Sequence, residues 1–310
     1  MDSRLWDEVY RAIRRAYRPK GGPRGRGRPR QYGDDQILAV WVFAAMMDWS
    51  ITATHRHLRT QAVAWWLKRH WRWPWRLPAL STLTRRAKAG SFRALLRRVM
   101  RRLRRRLARR PTGVVVMDAT PLCTGPHSRD TESTWTKHGE TWFRGYALHS
   151  VCDEAGVVWA HHVASANVHE LTVARRLVRQ MALIEDHGIE VVVSDTGYDS
   201  EPLHRLVRRR LGAMLLAPLN VRGGPRPGWQ QRTPGRAAAH RVLQTAEGQA
   251  RLAKRGVIER WHSWFKGLSK VSRLPYHVRR LQRVRLWVDL KLIVFLTHRY
   301  LRGHALRPAA

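Results

Sequence analysis

The sequence predicts a mixed α/β protein in which an open sheet of five strands carries helices on its faces, after an all-helical N-terminal region. Three observations lead to this fold class. In the first third of the chain, apolar residues recur at the three- and four-residue spacing of helices. Near Pro111 this pattern gives way to short valine-rich runs. After Asn167, helical and strand patterns alternate, as they do in sheets with helices packed on their faces.

The N-terminal region is expected to consist of short helices joined by turns, because polar capping residues precede the apolar runs. The predicted helices cover residues 1–17, Ile37–Met47 after Asp34 and Asp35, Ser50 to about Trp66, a further helix from Ser81 and another from Ser91. Residues 18–33 are rich in glycine, proline and arginine, and are expected to form a flexible linker.

Residues 1–110 are predicted to form a DNA-binding domain. Short helices with arginine faces, joined by turns, are typical of helix-turn-helix proteins, which place one helix in the major groove. The alternative is a helical packing or oligomerisation domain, since no set of base-reading residues can be named from one sequence. The arginine content of these helices favours DNA contact.

Residues 111–310 are predicted to form a second domain around the sheet. Its strands are expected at Val114–Ala119, Arg144–Cys152, Val157–Ala164, Ile189–Asp195 and Ala213–Ala217. Its helices are expected at Asn167–His187, Ser200–Leu211, Thr245–Lys270 and Val278–Tyr300, with a loop at Asn220–Gly235. Ligands of such sheets bind beyond the carboxyl ends of the strands.

The charge balance predicts a polyanionic partner. Lysine and arginine total 59 against 22 aspartate and glutamate residues, a formal net charge of +37. Such a charge drives association with nucleic acid, and phosphate contacts make that binding steeply salt-dependent. A membrane surface is disfavoured, because the basic residues are spread along the whole chain rather than gathered beside an anchor.

Other features of the sequence limit the functional classes. Cys123 and Cys152 are the only cysteines and form no CxxC pair, so neither a disulfide framework nor a thiolate zinc site is predicted. The N-terminus does not have the pattern of a signal peptide, and the apolar stretches are too short to cross a bilayer. We therefore expect a soluble cytoplasmic protein.

Three carboxylates are the candidate catalytic residues. Asp118 ends one valine-rich run, Asp195 ends another, and Glu259 lies within a predicted helix. Hard cations such as Mg²⁺ take oxygen ligands from carboxylates and from the phosphates of a substrate. Two such ions about 3.5–4 Å apart can clamp the attacking and leaving oxygens of a phosphodiester. The sequence therefore predicts a divalent-metal site formed by these three residues.

The helix that carries Glu259 has two distinct faces. Arg255, Lys266 and Lys270 share the face of Glu259, where their cations could hold phosphates beside a bound metal. The opposite face is apolar and is predicted to be core; its residues are Val257, Ile258, Trp261, Trp264, Phe265 and Leu268. An ordinary solvated charged face is the alternative explanation of the polar side.

At this point the chain resembles a known family. Arg255-x3-Glu259-x6-Lys266 resembles the Y-x2-R-x3-E-x6-K signature of DDE transposases from bacterial insertion sequences. Val116–Thr120 and Ser194–Asp199 resemble the strand ends that carry the two aspartates of that family, and Gly145–His149 and Asn167–His169 resemble landmarks between them. The chain departs from the pattern at Leu252, which replaces the tyrosine, and at Ala147, which replaces a lysine.

The resemblance implies a ribonuclease-H-like fold and phosphoryl transfer with two Mg²⁺ or Mn²⁺ ions. It implies cleavage of double-stranded DNA at transposon ends and transfer of the freed 3′-hydroxyl into target DNA. It also implies a homodimer on DNA and a location at the bacterial nucleoid. Two alternatives stay open, namely a catalytically silent DNA-binding regulator descended from a transposase, and a nuclease of the same fold.

Several other polar residues have a structural explanation beside a functional one. His149 lies on a strand near the expected site, where it contacts DNA or metal-bound water, or is a satisfied core histidine. Asp199 is expected to serve as a turn and cap residue. A zinc site at His161, His162, His169 and Glu170 is disfavoured, because no HExxH or Cys/His framework accompanies these residues.

Overall fold

The computed structural model describes residues 3–18, 31–60, 77–220, 228–269 and 273–303. The chain forms two compact units, one of residues 1–106 with 286–303 and one centred on residues 107–285. The first unit is helical, and the second contains the sheet. Residues 286–303 are thus grouped with the N-terminal helices, although they are distant from them in sequence.

The helical unit consists of short amphipathic and apolar helices. They are α1 (Ser3–Ala16), α2 (Asp34–Met47), α3 (Ile51–Leu58), α4 (Leu80–Ala87), most of α5 (Gly90–Leu107) and most of the final helix, α12 (Leu281–Arg302). Ser50 caps α3 by accepting a hydrogen bond from the amide of Ala53 at 3.1 Å. Helix α3 ends at Leu58, earlier than the predicted end near Trp66, and residues 61–76 lie outside the described part of the chain.

Helix α2 forms the centre of this unit. Its apolar residues are buried, and so are its first two residues, Asp34 and Asp35. Each of these carboxylates is paired with an arginine, Asp34 with Arg86 and Asp35 with Arg14, which compensates for its removal from water. Within the described residues no single helix has the length and hydropathy to span a membrane, and α2 and α3 meet that criterion only as a pair bent by 107°.

The second unit is built on a mixed sheet of six strands. They are β1 (Thr112–Cys123), β2 (Thr134–His138), β3 (Thr141–Asp153), β4 (Val158–Ser165), β5 (Gly188–Val193) and β6 (Met214–Leu216). The order along the sheet is β2-β3-β1-β5-β6, and β4 also pairs with β3. Strands β1 to β4 are joined in antiparallel pairs, whereas β1, β5 and β6 run parallel. The mixed α/β class with flanking helices is confirmed.

The strand count differs from the prediction, because β2 was missed. Strands β2 and β3 form a hairpin around Gly139 and Glu140, and β3 begins at Thr141 rather than at Arg144. Gly139 has a φ of 58°, a conformation that two-residue hairpin loops need and that glycine adopts without strain. The alternating sequence on both sides of this glycine was the signal for the additional strand.

Helices cover the sheet of the second unit. They are α6 (Glu170–Met181), α7 (Glu201–Leu211), α8 (Trp229–Arg232), α9 (Pro234–Leu243), α10 (Ala246–Ala253) and α11 (Gly256–Ser269). Val173, Ala174 and Leu177 of α6 belong to the buried core that also contains Val115 and Met117 of β1. This core packs α6 against the sheet.

Other predicted helix limits are also wrong. Helix α6 is capped by His169, whose Nδ1 accepts from the amide of Leu171 at 3.2 Å, not by Asn167, and it ends before His187. The single helix predicted over residues 245–270 is two helices, because the chain turns at Lys254 and a glycine, a weak helix former, follows. Part of the predicted loop, residues 221–227, lies outside the described residues, and α8 and α9 occupy its remainder.

Candidate active site

The register of the sheet brings the first two candidate acids to one edge. In the parallel pair of β1 and β5, Val116 lies opposite Val193. Two residues further along each chain are Asp118 and Asp195. Asp195 therefore lies just beyond the carboxyl end of β5, and Asp118 lies beside it within β1, which continues to Cys123 rather than ending at the predicted Ala119. Sheets of this kind bind ligands beyond the carboxyl ends of their strands.

The electrostatics of Asp118 show that the acids share one environment. The pKa of Asp118 is raised to about 6, chiefly by burial, and the negative charges of Asp195 and Glu259 raise it further. A backbone hydrogen bond at Ala119 and the positive charge of Arg255 act in the opposite direction. The ionised form of Asp118 is thus disfavoured until a cation approaches it.

Glu170 is a fourth acid at this edge of the sheet. The sequence pattern indicated it only as a ligand of the disfavoured zinc site. Burial, followed by the charges of Asp195 and Asp118, raises its pKa to about 7. A Cβ atom at Gly197 would lie 2.5 Å from Oε2 of Glu170 and 3.2 Å from Oδ1 of Asp195, so only glycine fits between the two carboxylates. In the sequence, Glu170 could have been identified by its position directly after Asn167–His169, a segment that resembles the family, and at the start of a predicted helix.

Glu259 is the most exposed of the acids. Its carboxylate lies 3.9 Å from Nη2 of Arg255, at an open depression of about 410 Å³ that both residues line with Gly256. Within the described part of the chain, no three His, Cys, Asp or Glu side chains are close enough to hold one metal ion. The convergence of Asp118, Asp195 and Glu259 on a metal therefore stays a prediction.

The donor chemistry of this edge nevertheless fits a hard divalent cation. The candidate ligands are carboxylate oxygens, which Mg²⁺ and Mn²⁺ prefer. Burial and, after it, the charges of neighbouring acids raise the pKa values of Asp118 and Glu170, and a bound cation would favour the ionised form of both.

Helix α11 presents two further polar groups toward Asp118. Nδ1 of His262 lies 3.7 Å from Oδ2 of Asp118, and burial lowers the pKa of this imidazole to about 3, so the ring is neutral. Lys266 is half-buried, and burial lowers its pKa while Cys123 and Asp118 oppose that shift. His262 is not among the predicted site residues, although it lies seven residues, about two helical turns, after Arg255. Arg255 itself lies in the turn that precedes α11.

The predicted apolar side of α11 is largely buried, as expected. Trp261 is 0% exposed and stacks on Phe265 with ring centroids 5.2 Å apart, and Val257 and Ile258 are buried. Two residues depart from the prediction. Trp264 is only half-buried, and Leu268 is 43% exposed because the helix is close to its end there. Lys270 lies outside the described residues.

His149 is buried, and its ring has no hydrogen-bond partner among the described residues. It lies opposite Ala119 of β1, beside Asp118, and is 1% exposed. Neither nitrogen of its ring has a hydrogen-bond partner among the described residues, so it is not a satisfied core histidine. Burial lowers its pKa to about 4, and a contact of this neutral ring with DNA stays a prediction.

Asp199 forms a structural network next to the site. Its carboxylate accepts hydrogen bonds from the amide of Asn220 at 2.8 Å, from Nε2 of His204 at 3.1 Å and from Nη2 of Arg236 at 2.7 Å. Burial alone would raise the pKa of Asp199, but these hydrogen bonds hold it below its ordinary value. The turn that follows Asp195 is therefore anchored to α7 and α9.

The residues of the disfavoured zinc site are engaged elsewhere. Nε2 of His162 accepts hydrogen bonds from Arg176 at 2.7 Å and from Arg285 at 3.1 Å, and its pKa is lowered to about 3, first by burial and then by the two arginines. His169 caps α6 and Glu170 faces the two aspartates.

Comparison with known proteins identifies a family for more than half of the chain. A family model described as a transposase DDE domain matches residues 109–296. The comparison with curated proteins finds no match. Among solved structures, a cryo-EM structure of the piggyBac transposase synaptic complex with hairpin DNA is similar over 99% of this chain and 80% of that chain, at 11% identity and a TM-score of 0.34. A similarity of that size carries no argument about individual residues, so the family match is the informative result.

Proposed function

The chain belongs to the transposase DDE domain family, and from this premise we propose that it is a DNA transposase whose metal-binding acids are Asp118, Asp195 and Glu259. The family is one of metal-dependent enzymes that cleave DNA. The proposal adds that this chain cuts double-stranded DNA at transposon ends and joins the freed 3′-hydroxyl to target DNA.

One observation carries the residue assignment: the register that continues from Val116 and Val193 to Asp118 and Asp195. Asp118 within β1 and Asp195 just after the neighbouring parallel strand β5 form the start of a metal site, and helix α11 brings Glu259 into their electrostatic environment. The number of metal ions is proposed to be two, since two ions clamp both oxygens of an in-line displacement.

Arg255, in the turn before α11, and the polar groups of α11 have roles in this proposal. A bound Mg²⁺ or Mn²⁺ supplies Lewis-acid activation of the phosphodiester and of the attacking hydroxyl. Arg255 and Lys266 bind the non-bridging phosphate oxygens on either side of the scissile bond. His262 lies beside the Asp118 carboxylate and restrains it. Because burial keeps the imidazole neutral, it does not compete with a metal ion for the negative charge of Asp118.

Glu170 is proposed as an additional acid of this site. Its carboxylate faces Asp195 across Gly197, and its raised pKa lets it carry a proton near neutral pH when no cation is bound. It can then give up this proton when metal and DNA bind.

The partners follow from the same proposal. The predicted N-terminal domain, residues 1–110, is proposed to contact transposon-end DNA, and the protein is proposed to act as a homodimer that pairs two ends. The proposed setting is the nucleoid of a bacterial cell, where such DNA is found. The formal charge of +37 supports tight, salt-sensitive binding to DNA.

Two alternatives differ in their measurable activity. A silent regulator would bind the same DNA without cutting it, and a nuclease would cut without joining. Retention of all three acids together with Arg255 and Lys266 favours the active transposase.

The test uses linear DNA that contains the inverted repeats flanking the gene. With Mg²⁺, the wild-type protein is expected to cleave at the repeat ends and to join them to a plasmid target. Asp195→Asn should bind the DNA without cutting it. Glu190→Gln is the matched control, because this exposed carboxylate lies on the same strand, β5, away from its end. Equal cleavage by Asp195→Asn and the wild type would refute the assignment, and cutting without joining would identify a nuclease.

A further inference from the structure

The hairpin of β2 and β3 exposes two tryptophans to solvent. Trp135 is 51% exposed and Trp142 is 63% exposed. Burial of a tryptophan side chain is among the most favourable in free energy. Two exposed indoles on one short hairpin therefore indicate a binding surface.

The strand register places both indoles on one side of the hairpin. Trp135 lies opposite Arg144, and Lys137 lies opposite Trp142. Because side chains alternate along a strand and directly opposed residues share a face, these four residues lie on one face, which we call the tryptophan face. Aromatic and cationic groups therefore alternate across it.

The base of the hairpin is held in a defined orientation. The guanidinium of Arg144 donates to the carbonyl oxygens of Ser128 at 2.9 Å and of Asp130 at 3.1 Å. At the next position, a Cβ on Gly145 would lie 2.1 Å from the carbonyl oxygen of Leu122, so the strands approach as closely as glycine permits. Arg144 thus has a structural role, and Lys137, paired with Glu140 at 2.9 Å, is the cation nearest to solvent.

The hairpin projects from the sheet edge that carries the acids. Strand β3 pairs with β1 as far as Gly145 opposite Cys123, and the hairpin continues beyond the carboxyl end of β1. Ser150 is the partner of Asp118 in this pair. Counted along β3, Arg144 with its partner Trp135 lies about 20 Å from that position and Trp142 about 26 Å. This is the length of about six to eight base pairs of duplex DNA.

We propose that the tryptophan face stacks on an unpaired base of the DNA bound at the acidic edge. This inference rests on the proposed function, since it assumes that DNA runs from the acids along the hairpin. Indole rings stack on any base and need no particular sequence. The positive charge of Lys137 and of the chain as a whole complements the phosphates on either side of such a base.

A protein partner is a poorer match for this face. An apolar docking surface has contiguous apolar neighbours, whereas the other two residues of the tryptophan face are the cations Lys137 and Arg144. Isolated flat rings among polar groups are typical of base stacking.

The test measures binding of the full chain to short duplexes in EDTA, where cleavage does not occur. One probe is fully paired. The others carry a single unpaired 2-aminopurine at positions stepped from about four to about ten base pairs from the end. Stacking on an indole quenches 2-aminopurine fluorescence, so the wild type should bind an unpaired probe more tightly than the paired duplex and quench it at about six to eight base pairs.

Four variants separate stacking from apolar contact. Trp142→Ala and Trp142→Leu should weaken binding of the unpaired probe by about 5- to 150-fold and abolish quenching. Trp142→Phe, which keeps a flat ring, should retain most of the affinity. Leu183→Ala, at an 83% exposed apolar residue outside the hairpin, is the control and should leave binding unchanged. Melting temperatures confirm that each variant is folded, and Trp135→Phe and Trp135→Leu repeat the comparison at the second indole.

The proposal is overturned if Trp142→Leu binds the unpaired probe as the wild type does, or if all variants lose paired and unpaired probes equally. It is also overturned if Trp142→Ala instead changes the mass of the protein in sedimentation, which would identify a protein interface. Cleavage of paired end DNA with Mg²⁺ is measured in the same preparations. Wild-type quenching without cleavage would refute the proposed function alone, and cleavage without quenching would refute the stacking alone.

Discussion

Asp118 and Asp195 lie side by side at the edge of the sheet, each two residues beyond the paired Val116 and Val193. Their proximity follows from the parallel register of β1 and β5, with Asp195 held in the turn that directly follows β5. Because the valines are buried, a slip of one residue would move apolar side chains out of the core, so the register of the acids is enforced by the core.

The first prediction concerns catalysis. Asp118→Asn should abolish Mg²⁺-dependent cleavage while leaving DNA binding intact, because it removes a metal-binding charge and preserves the shape of the side chain. A fall in the cleavage rate of about 10³-fold or more is expected if a metal ligand is lost. Cleavage of end DNA by this variant and by Glu190→Gln is the measurement, and equal rates in both would contradict the prediction.

The second prediction concerns pH. The pKa of Asp118 is raised from 3.8 to about 6 in the folded protein, so its contribution to stability is present below about pH 4 and is lost as the pH rises through about 6. At about pH 8, Asp118→Asn should therefore raise the free energy of unfolding by an amount on the order of 2 kcal/mol. At about pH 4 it should have no effect. Urea denaturation at both pH values checks the sign.

The third prediction concerns the cation. Mg²⁺ should raise the melting temperature of the wild-type protein at about pH 8, because a cation relieves the repulsion among the acids. Glu170→Gln should stabilise the metal-free protein and reduce the gain from Mg²⁺, since Glu170 faces both aspartates. Differential scanning fluorimetry across a Mg²⁺ titration measures both effects. An unchanged Mg²⁺ response in Glu170→Gln would exclude this residue from the site.

The fourth prediction separates the two faces of α11. Trp261→Ala should cost about 3–5 kcal/mol of stability, because its side chain is fully buried. Arg255→Ala should melt near the wild-type temperature and cleave DNA poorly, because it lines the open depression with Glu259. Trp264 is less suitable for this test because it is only half-buried. A stable Trp261→Ala with a specific DNA defect would show that the helix faces are reversed.

The fifth prediction distinguishes a structural carboxylate from the candidate catalytic ones. Hydrogen bonds hold the pKa of Asp199 below its ordinary value, so its contribution to stability is present above the unfolded pKa and is lost as the pH falls through the folded value. Asp199→Asn should therefore destabilise the protein near neutral pH, by about 1–3 kcal/mol for a buried charged hydrogen-bonded group. The Mg²⁺-dependent rise in melting temperature should persist in this variant.

The sequence by itself determined those features that depend on local pattern. Valine-rich runs ending in Asp118 and Asp195 predict strand ends, and the spacing of Arg255, Glu259 and Lys266 predicts one helix face. Both inferences rest on periodicities of two and 3.6 residues, which the backbone imposes before any tertiary contact forms. For that reason the fold class and the identity of the candidate acids needed no structure.

Only the tertiary structure decided the features that depend on docking between distant segments. Glu170 and His262 lie near Asp118 because α6 and α11 pack against the sheet beside it. Neither residue belongs to the Y-x2-R-x3-E-x6-K signature. The sequence did not predict β2, because an isolated two-stranded hairpin has little stability until a larger sheet supports it. Residues 286–303 are grouped with the N-terminal helices for a similar reason, since burial of apolar surface is non-directional and can join segments at any separation in sequence.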